Sequence, residues 1–179
     1  MLRTEDTSLV LLDIQGRLAT LMHEKELLFD NAGRLVRGAQ ALAMPILWVE
    51  QTPEKLGPTI PELRELLQGA SPIRKDSLSC YGEEAFRSRL GGLGRKQILV
   101  AGIESHVCVF QTAADLVQAG YEVEVVADAV SSRTLANKLI ALEKLRAAGA
   151  RLTSVETALF ELVRTAAHPA FREIIRIVK

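Results

Sequence analysis

Short runs rich in valine, isoleucine and leucine alternate along this chain with longer amphipathic stretches, and few folds accommodate that alternation. A strand that is apolar along its whole length needs cover on both faces, as in a parallel sheet wrapped by helices. "SLVLLD" (Ser8 to Asp13) reads as the first strand and "PILWVE" (Pro45 to Glu50) as the second, with "QILVAG", "YEVEVVAD" and "RLTSV" as three more. Leu28, Ala32, Leu35, Val36, Ala39 and Leu42 share one face of a helix through "LLFDNAGRLVRGAQALA". Two further helices are expected at His106 to Ala119 and Thr134 to Ala148, ended by Gly120 and Gly149 in the left-handed position that follows a helix. "QTPEKLGPTIP" holds three prolines and a glycine and reads as a loop, with Pro61 opening a short helix through Leu67. Two short helices split by Pro169 complete the chain. The class is α/β, and no repeat or linker divides residues 1–179, which read as one domain.

Charge narrows the partners. Lys plus Arg is 22 and Asp plus Glu is 22, so no basic excess points to nucleic acid or an anionic membrane. A small molecule or a second copy of the chain is the expected partner. No apolar run approaches the ~20 residues that span a bilayer. The two cysteines, Cys80 and Cys108, cannot build a disulfide framework, and "MLRTEDTSLV" lacks the pattern of a signal peptide, so a reducing cytoplasm is expected. The apolar run of Leu159, Phe160, Leu162 and Val163 exceeds what one domain is expected to bury and points to a homo-oligomer, a dimer or larger.

In open parallel sheets ligands bind where the carboxyl ends of the strands open into loops. Asp13 ends the first strand, Lys75 follows "SPIRK", and Cys108 follows "LVAG". Each has a structural reading: turn former, solvated loop residue and core filler respectively. Their convergence on one sheet edge favours a chemical one. A cysteine in the first turn of a helix gains thiolate character from the helix dipole, a carboxylate accepts the thiol proton, and an ammonium supports both anions. His106 lies in the right loop, but His23 and His168 fall in unrelated segments, so no histidine cluster for a metal emerges. Cys80 and Cys108 lack the C-x-x-C spacing of a redox pair.

"LLDIQ" with Asp13, "RKDSLS" with Lys75 and "AGIESHVCV" with Cys108 resemble the three signature segments of the isochorismatase-like cysteine hydrolases, in the same order. "VEQTPEKLGPTIPEL" and "TSVETALFELVRTAAHPAFREI" are similar to the isochorismatase domain-containing subgroup. The resemblance implies a three-layer α/β/α, Rossmann-like domain around a mostly parallel six-stranded sheet, a homo-oligomer, and an Asp13, Lys75, Cys108 triad. It further implies an oxyanion hole formed by the backbone N–H groups of Glu104 and Cys108, with a cis peptide at Ile103–Glu104. Cys108 would attack a carbonyl carbon to form a thioester, on an amide, carbamoyl or related acyl C–N bond. Metal-dependent nicotinamidases carry an Asp-x-His motif after the second strand. Here Glu50 and Gln51 stand there without a histidine, so neither metal nor other cofactor is expected. Gln15, Glu50, Gln51, Tyr81, Ser105 and His106 are candidate pocket residues. Trp48, Tyr81 and Phe110 line a pocket or fill core, with core favoured; Ser132 reads as a helix cap and Arg133 as a structural ion-pair partner. The competing class is a non-catalytic interaction protein that retains the fold.

Overall fold

The computed structural model describes all 179 residues. Six strands, β1 (Thr7–Leu12), β2 (Ile46–Gln51), β3 (Ile73–Lys75), β4 (Gln97–Ile103), β5 (Glu122–Ser131) and β6 (Arg151–Thr153), form one sheet in the order β3-β2-β1-β4-β5-β6. Every pairing is parallel. β3 has only three residues, too few to show a period, and pairs Ile73 to Lys75 with Val49 to Gln51. The helices are α1 (Gly16–Thr20), α2 (Lys25–Ala41), α3 (Pro53–Leu56), α4 (Pro61–Leu66), α5 (Glu84–Gly92), α6 (Phe110–Gln118), α7 (Leu135–Ala147), α8 (Val155–Val163) and α9 (Phe171–Val178).

Alternation along each strand divides the core into two layers. Leu9 and Leu11 of β1 join Leu99 and Ala101 of β4 under α2, α4, α8 and α9, whereas Val10, Leu12, Ile98 and Val100 face α5, α6 and α7. Each fully buried leucine or valine contributes about 1.5–3 kcal/mol. The Leu159, Leu162 and Val163 run of α8 is absorbed into the first layer, because α8 packs against α2 as well as against the sheet. Exposed large apolar residues cluster instead on α7, where Leu135, Leu139 and Ile140 are 47%, 52% and 53% exposed, with Met1, Leu21, Leu27 and Leu78 exposed elsewhere. Thr134 caps α7 rather than starting it, its hydroxyl accepting from Asn137 N–H at 3.2 Å.

β5 departs from a regular ladder. Val100 pairs with Val125, but Gly102 pairs with Val130, so β5 makes a detour that β4 does not share. Asp128 in this detour accepts Asn31 Nδ2–H of α2 on its carbonyl (2.9 Å) and the Val155 N–H of α8 on its carboxylate (2.9 Å). The detour thereby ties two helices to the sheet.

Gly102 has φ +127°, and a Cβ there would lie 2.1 Å from the Leu12 carbonyl oxygen on β1. Close contact of β1 and β4 therefore requires glycine. Gly102→Ala is expected to lower unfolding stability by about 2–4 kcal/mol, read from the urea midpoint at unchanged slope.

Candidate active site

The sheet carries three reactive side chains to one edge. Asp13 follows β1 with φ +55°, a left-handed conformation that Asp tolerates better than most residues, and its N–H donates to Val49 C=O at 3.2 Å. Lys75 closes β3, and Cys108 lies in a π-helical turn, Ser105–Val109, that follows β4. Lys75 Nζ is 2.9 Å from Asp13 Oδ2 and 3.6 Å from Cys108 Sγ, with the Lys75 side chain fully buried and that of Asp13 3% exposed. Nζ also donates to Gln51 Oε1 and to the carbonyls of Ser77 and Leu78, each of the latter at 3.2 Å. The ammonium is thus surrounded by acceptors. The Asp13 contact is Coulombic in character, since neither carboxylate oxygen makes an aligned hydrogen bond. That leaves lone pairs free for a proton from Cys108.

Burial pushes the Asp13 carboxyl above the ordinary carboxylate range, against the opposing pull of Lys75. Burial alone would lower Lys75, but attraction to Asp13, with a smaller part from Cys108, outweighs it and raises the ammonium's pKa. The Cys108 thiol is pushed up to about 12, by burial first and by the Asp13 charge second, with Lys75 acting in the opposite sense. The expected place in the first helical turn is found, since the π turn from Ser105 continues directly into α6. The expected thiolate character is opposed by burial and the Asp13 charge, which outweigh that placement.

The backbone beside the thiol is also distinctive. The Ile103–Glu104 peptide is cis. Val107 and Val109 both donate to Glu104 C=O, at 3.0 and 3.2 Å, while the Cys108 N–H between them does not, and the Glu104 N–H has no acceptor within the chain. A cavity of about 150 Å³ opens here, lined by Asp13, Gln51, Glu104 and Cys108 and by apolar Leu18, Leu56, Leu78, Ile103 and Val107. Gly16 sets two of its walls. A Cβ at that position would lie 2.1 Å from the Leu56 carbonyl oxygen, so only glycine lets α1 and α3 close together.

Of the candidate pocket residues, Gln51 lines the cavity and the others do not. Gln15 stands behind it, donating to the carbonyls of Gln51 (3.1 Å) and Gly57 (2.7 Å) and accepting from Gln51 N–H (2.7 Å). Glu50 is buried and accepts from the N–H and hydroxyl of Thr59, at 2.7 and 2.8 Å. Thr59 in turn accepts from Trp48 Nε1–H at 2.7 Å, which places that indole in the core. Tyr81 is half-buried under Arg87, and the Phe110 ring carries Lys144 Nζ 4.3 Å from its centre. Ser105 is buried without a hydroxyl partner, and His106 Nδ1 meets Ser132 Oγ at 2.9 Å. Ser132 is therefore a partner of the π turn and not a cap, because Thr134, two residues later, is the N-cap and α7 starts at Leu135. Arg133 Nε pairs with Glu104 Oε2 at 3.0 Å. Cys80 is fully buried, its N–H held by Thr112 Oγ1 at 3.0 Å, and burial raises its thiol pKa.

Reasoning from sequence missed Leu18, Leu56, Leu78 and Val107, since an aliphatic residue in a loop carries no signal of what it lines. It also missed Glu83. One oxygen of that carboxylate accepts from Asp76 N–H (3.0 Å), Ser77 N–H (2.9 Å) and Ser77 Oγ–H (2.6 Å). These bonds, the Ser77 hydroxyl first, hold the Glu83 carboxyl down to about 2. The clipped loop is the one whose Ser77 and Leu78 carbonyls meet Lys75, and Ser79 Oγ anchors its far end on Asp115 at 2.6 Å.

A parallel sheet covered on both faces, with a cysteine, a carboxylate and an ammonium gathered beside a ligand-sized cavity at its carboxyl edge, defines an α/β protein of hydrolase type. The chain belongs to the isochorismatase family: residues 7–157 match the isochorismatase domain. It is 40% identical over 177 residues to mouse isochorismatase domain-containing protein 2A, covering 98% of this chain and 84% of that protein. It is 36% identical over 171 residues to the secreted isochorismatase effector Isc1 of Phytophthora sojae, covering 93% and 81%. Among solved structures, the MAR1 ribonuclease of Caenorhabditis elegans superposes with a TM-score of 0.93 at 32% identity, covering 99% of this chain and 91% of that one. The YcaC protein of Escherichia coli, described as an octameric hydrolase of unknown specificity, superposes with a TM-score of 0.89 at 25% identity, covering 99% and 86%.

Glu83→Ala is expected to raise hydrogen exchange at the Asp76 and Ser77 amides by at least about tenfold, measured by mass spectrometry. The Glu83 pKa is depressed on folding, so the clip's stabilisation is present above the unfolded carboxyl pKa and is lost as pH falls from the ordinary range toward about 2. The wild-type loop should therefore loosen over that window and the variant should not change.

Proposed function

We propose that this protein is a metal-independent cysteine hydrolase that cleaves the acyl C–N bond of a small amide or carbamoyl compound. The observation that carries this reading is the Cys108 thiol set beside the buried Asp13 and Lys75 pair at the wall of a cavity. Asp13 takes the thiol proton as Cys108 Sγ bonds to the carbonyl carbon, and the C=O π electrons move to oxygen. The N–H groups of Glu104 and Cys108 receive the oxyanion, a donor pair of the kind whose loss typically costs about 3 kcal/mol of barrier per donor. Collapse breaks the C–N bond, and the proton returns from Asp13 to the departing nitrogen. Asp13 then takes a proton from water as the water oxygen bonds to the thioester carbon; the C–S bond breaks, the acid departs, and the proton passes from Asp13 to the Cys108 sulfur. Lys75 keeps Asp13 ionised at rest and offsets negative charge on sulfur.

Cavity size supports a small substrate, because a cavity of about 150 Å³ holds a molecule near the size of benzene. One structural relative is described as a ribonuclease. Phosphodiester binding calls for cations at the substrate's charge, and none lines this cavity in a chain of zero net charge. A small-molecule reaction fits better. An adaptor without turnover would need neither a buried ion pair nor a thiol opening into a cavity. Residues 1–179 act here as one domain, in a homo-oligomer assembled through the α7 face of Leu135, Leu139 and Ile140, a reading supported by the octameric E. coli relative. No helix is long and apolar enough to cross a membrane.

Ammonia release from a panel of small primary amides tests the chemistry. Folded Cys108→Ala should lose turnover entirely, while Asp13→Asn and Lys75→Met should each cost at least about 10²-fold, and their double variant little more than the worse single. Wild-type turnover in folded Cys108→Ala overturns the reading. Asp13 works as a base only when ionised, and its folded pKa is raised, so kcat/KM should fall with acid above the ordinary carboxylate range. For the assembly, light scattering should show several copies per particle, and the Leu139→Asp, Ile140→Asp double variant should yield a smaller species with unchanged circular dichroism. A wild-type monomer at micromolar concentration removes this claim.

A further inference from the structure

The charges around the cavity are unevenly placed. Among its lining residues the two that carry carboxylates, Asp13 and Glu104, have no cation beside them in the wall. The compensating cations stand back: Lys75 is fully buried behind Asp13 and Gln51, and Arg133, 56% exposed, reaches Glu104 from the solvent side. Nζ of Lys75 already meets Asp13, Gln51, Ser77, Leu78 and Cys108, so no donor of that ammonium is left for a bound molecule. Gln51 is similarly committed, its Oε1 on Lys75 and one Nε2–H on the Asp76 carbonyl at 3.0 Å. An anion entering this space would exchange hydration for aliphatic walls and two carboxylates nearer to it than their paired cations, with only the backbone N–H groups beside Cys108 as donors.

We propose that the cavity selects uncharged acyl compounds over those bearing a carboxylate, and that Glu104 is the residue that sets this selectivity while Arg133 tempers it. The inference rests on the cysteine-hydrolase reading only in taking Cys108 as the group the substrate must reach. Glu104 would then serve twice, its backbone N–H facing the developing oxyanion and its side chain fixing the sign of charge admitted. Arg133 is a positioning residue, holding the Glu104 carboxylate by its Nε at 3.0 Å and its own N–H at 3.3 Å.

Two alkylating agents of nearly equal size, iodoacetamide and iodoacetate, test this without any turnover. In each case the Cys108 S–C bond forms, the C–I bond breaks, iodide departs and the thiol proton passes to Asp13 or solvent. Labelling of Cys108 is followed by peptide mass spectrometry on the full chain, and the rate ratio of the two reagents is divided by the ratio on the same cysteine in urea. The native chain is expected to favour iodoacetamide at least about fivefold beyond the unfolded chain, about 1 kcal/mol, the scale of a carboxylate whose paired cation lies farther from the reagent than it does. Glu104→Gln should bring the ratio close to the unfolded value, and Arg133→Gln should raise it. A native ratio equal to the unfolded one, or one unmoved by Glu104→Gln, overturns the proposal. So does failure of both reagents to reach Cys108, because the cavity then admits neither class. A selective but catalytically silent protein would instead sink the hydrolase reading and leave the selectivity standing.

Discussion

A lysine ammonium with no exposed surface governs this structure. Lys75 is the largest of the fully buried side chains, and an ion of that size is tolerated in a protein interior only when charge and hydrogen bonds replace its water. Asp13 supplies the charge, while Gln51, Ser77 and Leu78 supply oxygens. Each of these comes from a different part of the chain, so accommodating one ion dictates where β1, β2 and the loop after β3 must end. Removing either member of such a pair leaves an uncompensated buried charge, at a cost of about 3–5 kcal/mol. The geometry that makes a competent base and the geometry that keeps the fold intact are therefore one arrangement.

That arrangement also explains why Cys108 is held as a thiol. A thiolate next to Asp13 would place two negative charges against one ammonium in a poorly solvated space, and burial raises its pKa further. Proton transfer coupled to bond formation avoids that state. In the proposed reaction the cluster keeps one negative charge throughout, first on Asp13 and then passed by way of sulfur to an oxygen that meets backbone N–H groups.

Much of the fold was legible because β1, β2 and β4 are apolar on both faces and α2 shows a clean buried stripe. β3 was not, since three residues carry no period, and only the resemblance supplied a sixth strand. β6 stops at Thr153 because Ser154 caps α8, so the apolar Val155 belongs to a helix rather than a strand. β5 runs on to Ser131 through a detour that no local pattern announces. At the site, Asp13, Lys75 and Cys108 stood out because polar side chains at strand ends are few. The walls did not, because Leu18, Leu56 and Leu78 acquire their role only when loops from distant segments meet. Nor was the upward push on the thiol pKa readable, since it depends on burial and on the Asp13 charge beside the sulfur.

The strand order reverses at the seam between β1 and β4, and the chain crosses that seam once, through the turn around Gly94. Every strand before it lies on one side of that seam, with Asp13, Gln51 and Lys75 at the strand ends; every strand after lies on the other, with Glu104 and Cys108 following β4, while α2 reaches across to pack on β5, α8 and α9. The molecule is thus two complementary fragments sewn together by a single connection. One holds Asp13 and Lys75, the other Glu104 and Cys108. Cut at Gly94, neither fragment owns a cavity, and reassembly of the two would announce itself through the return of the reactive thiol.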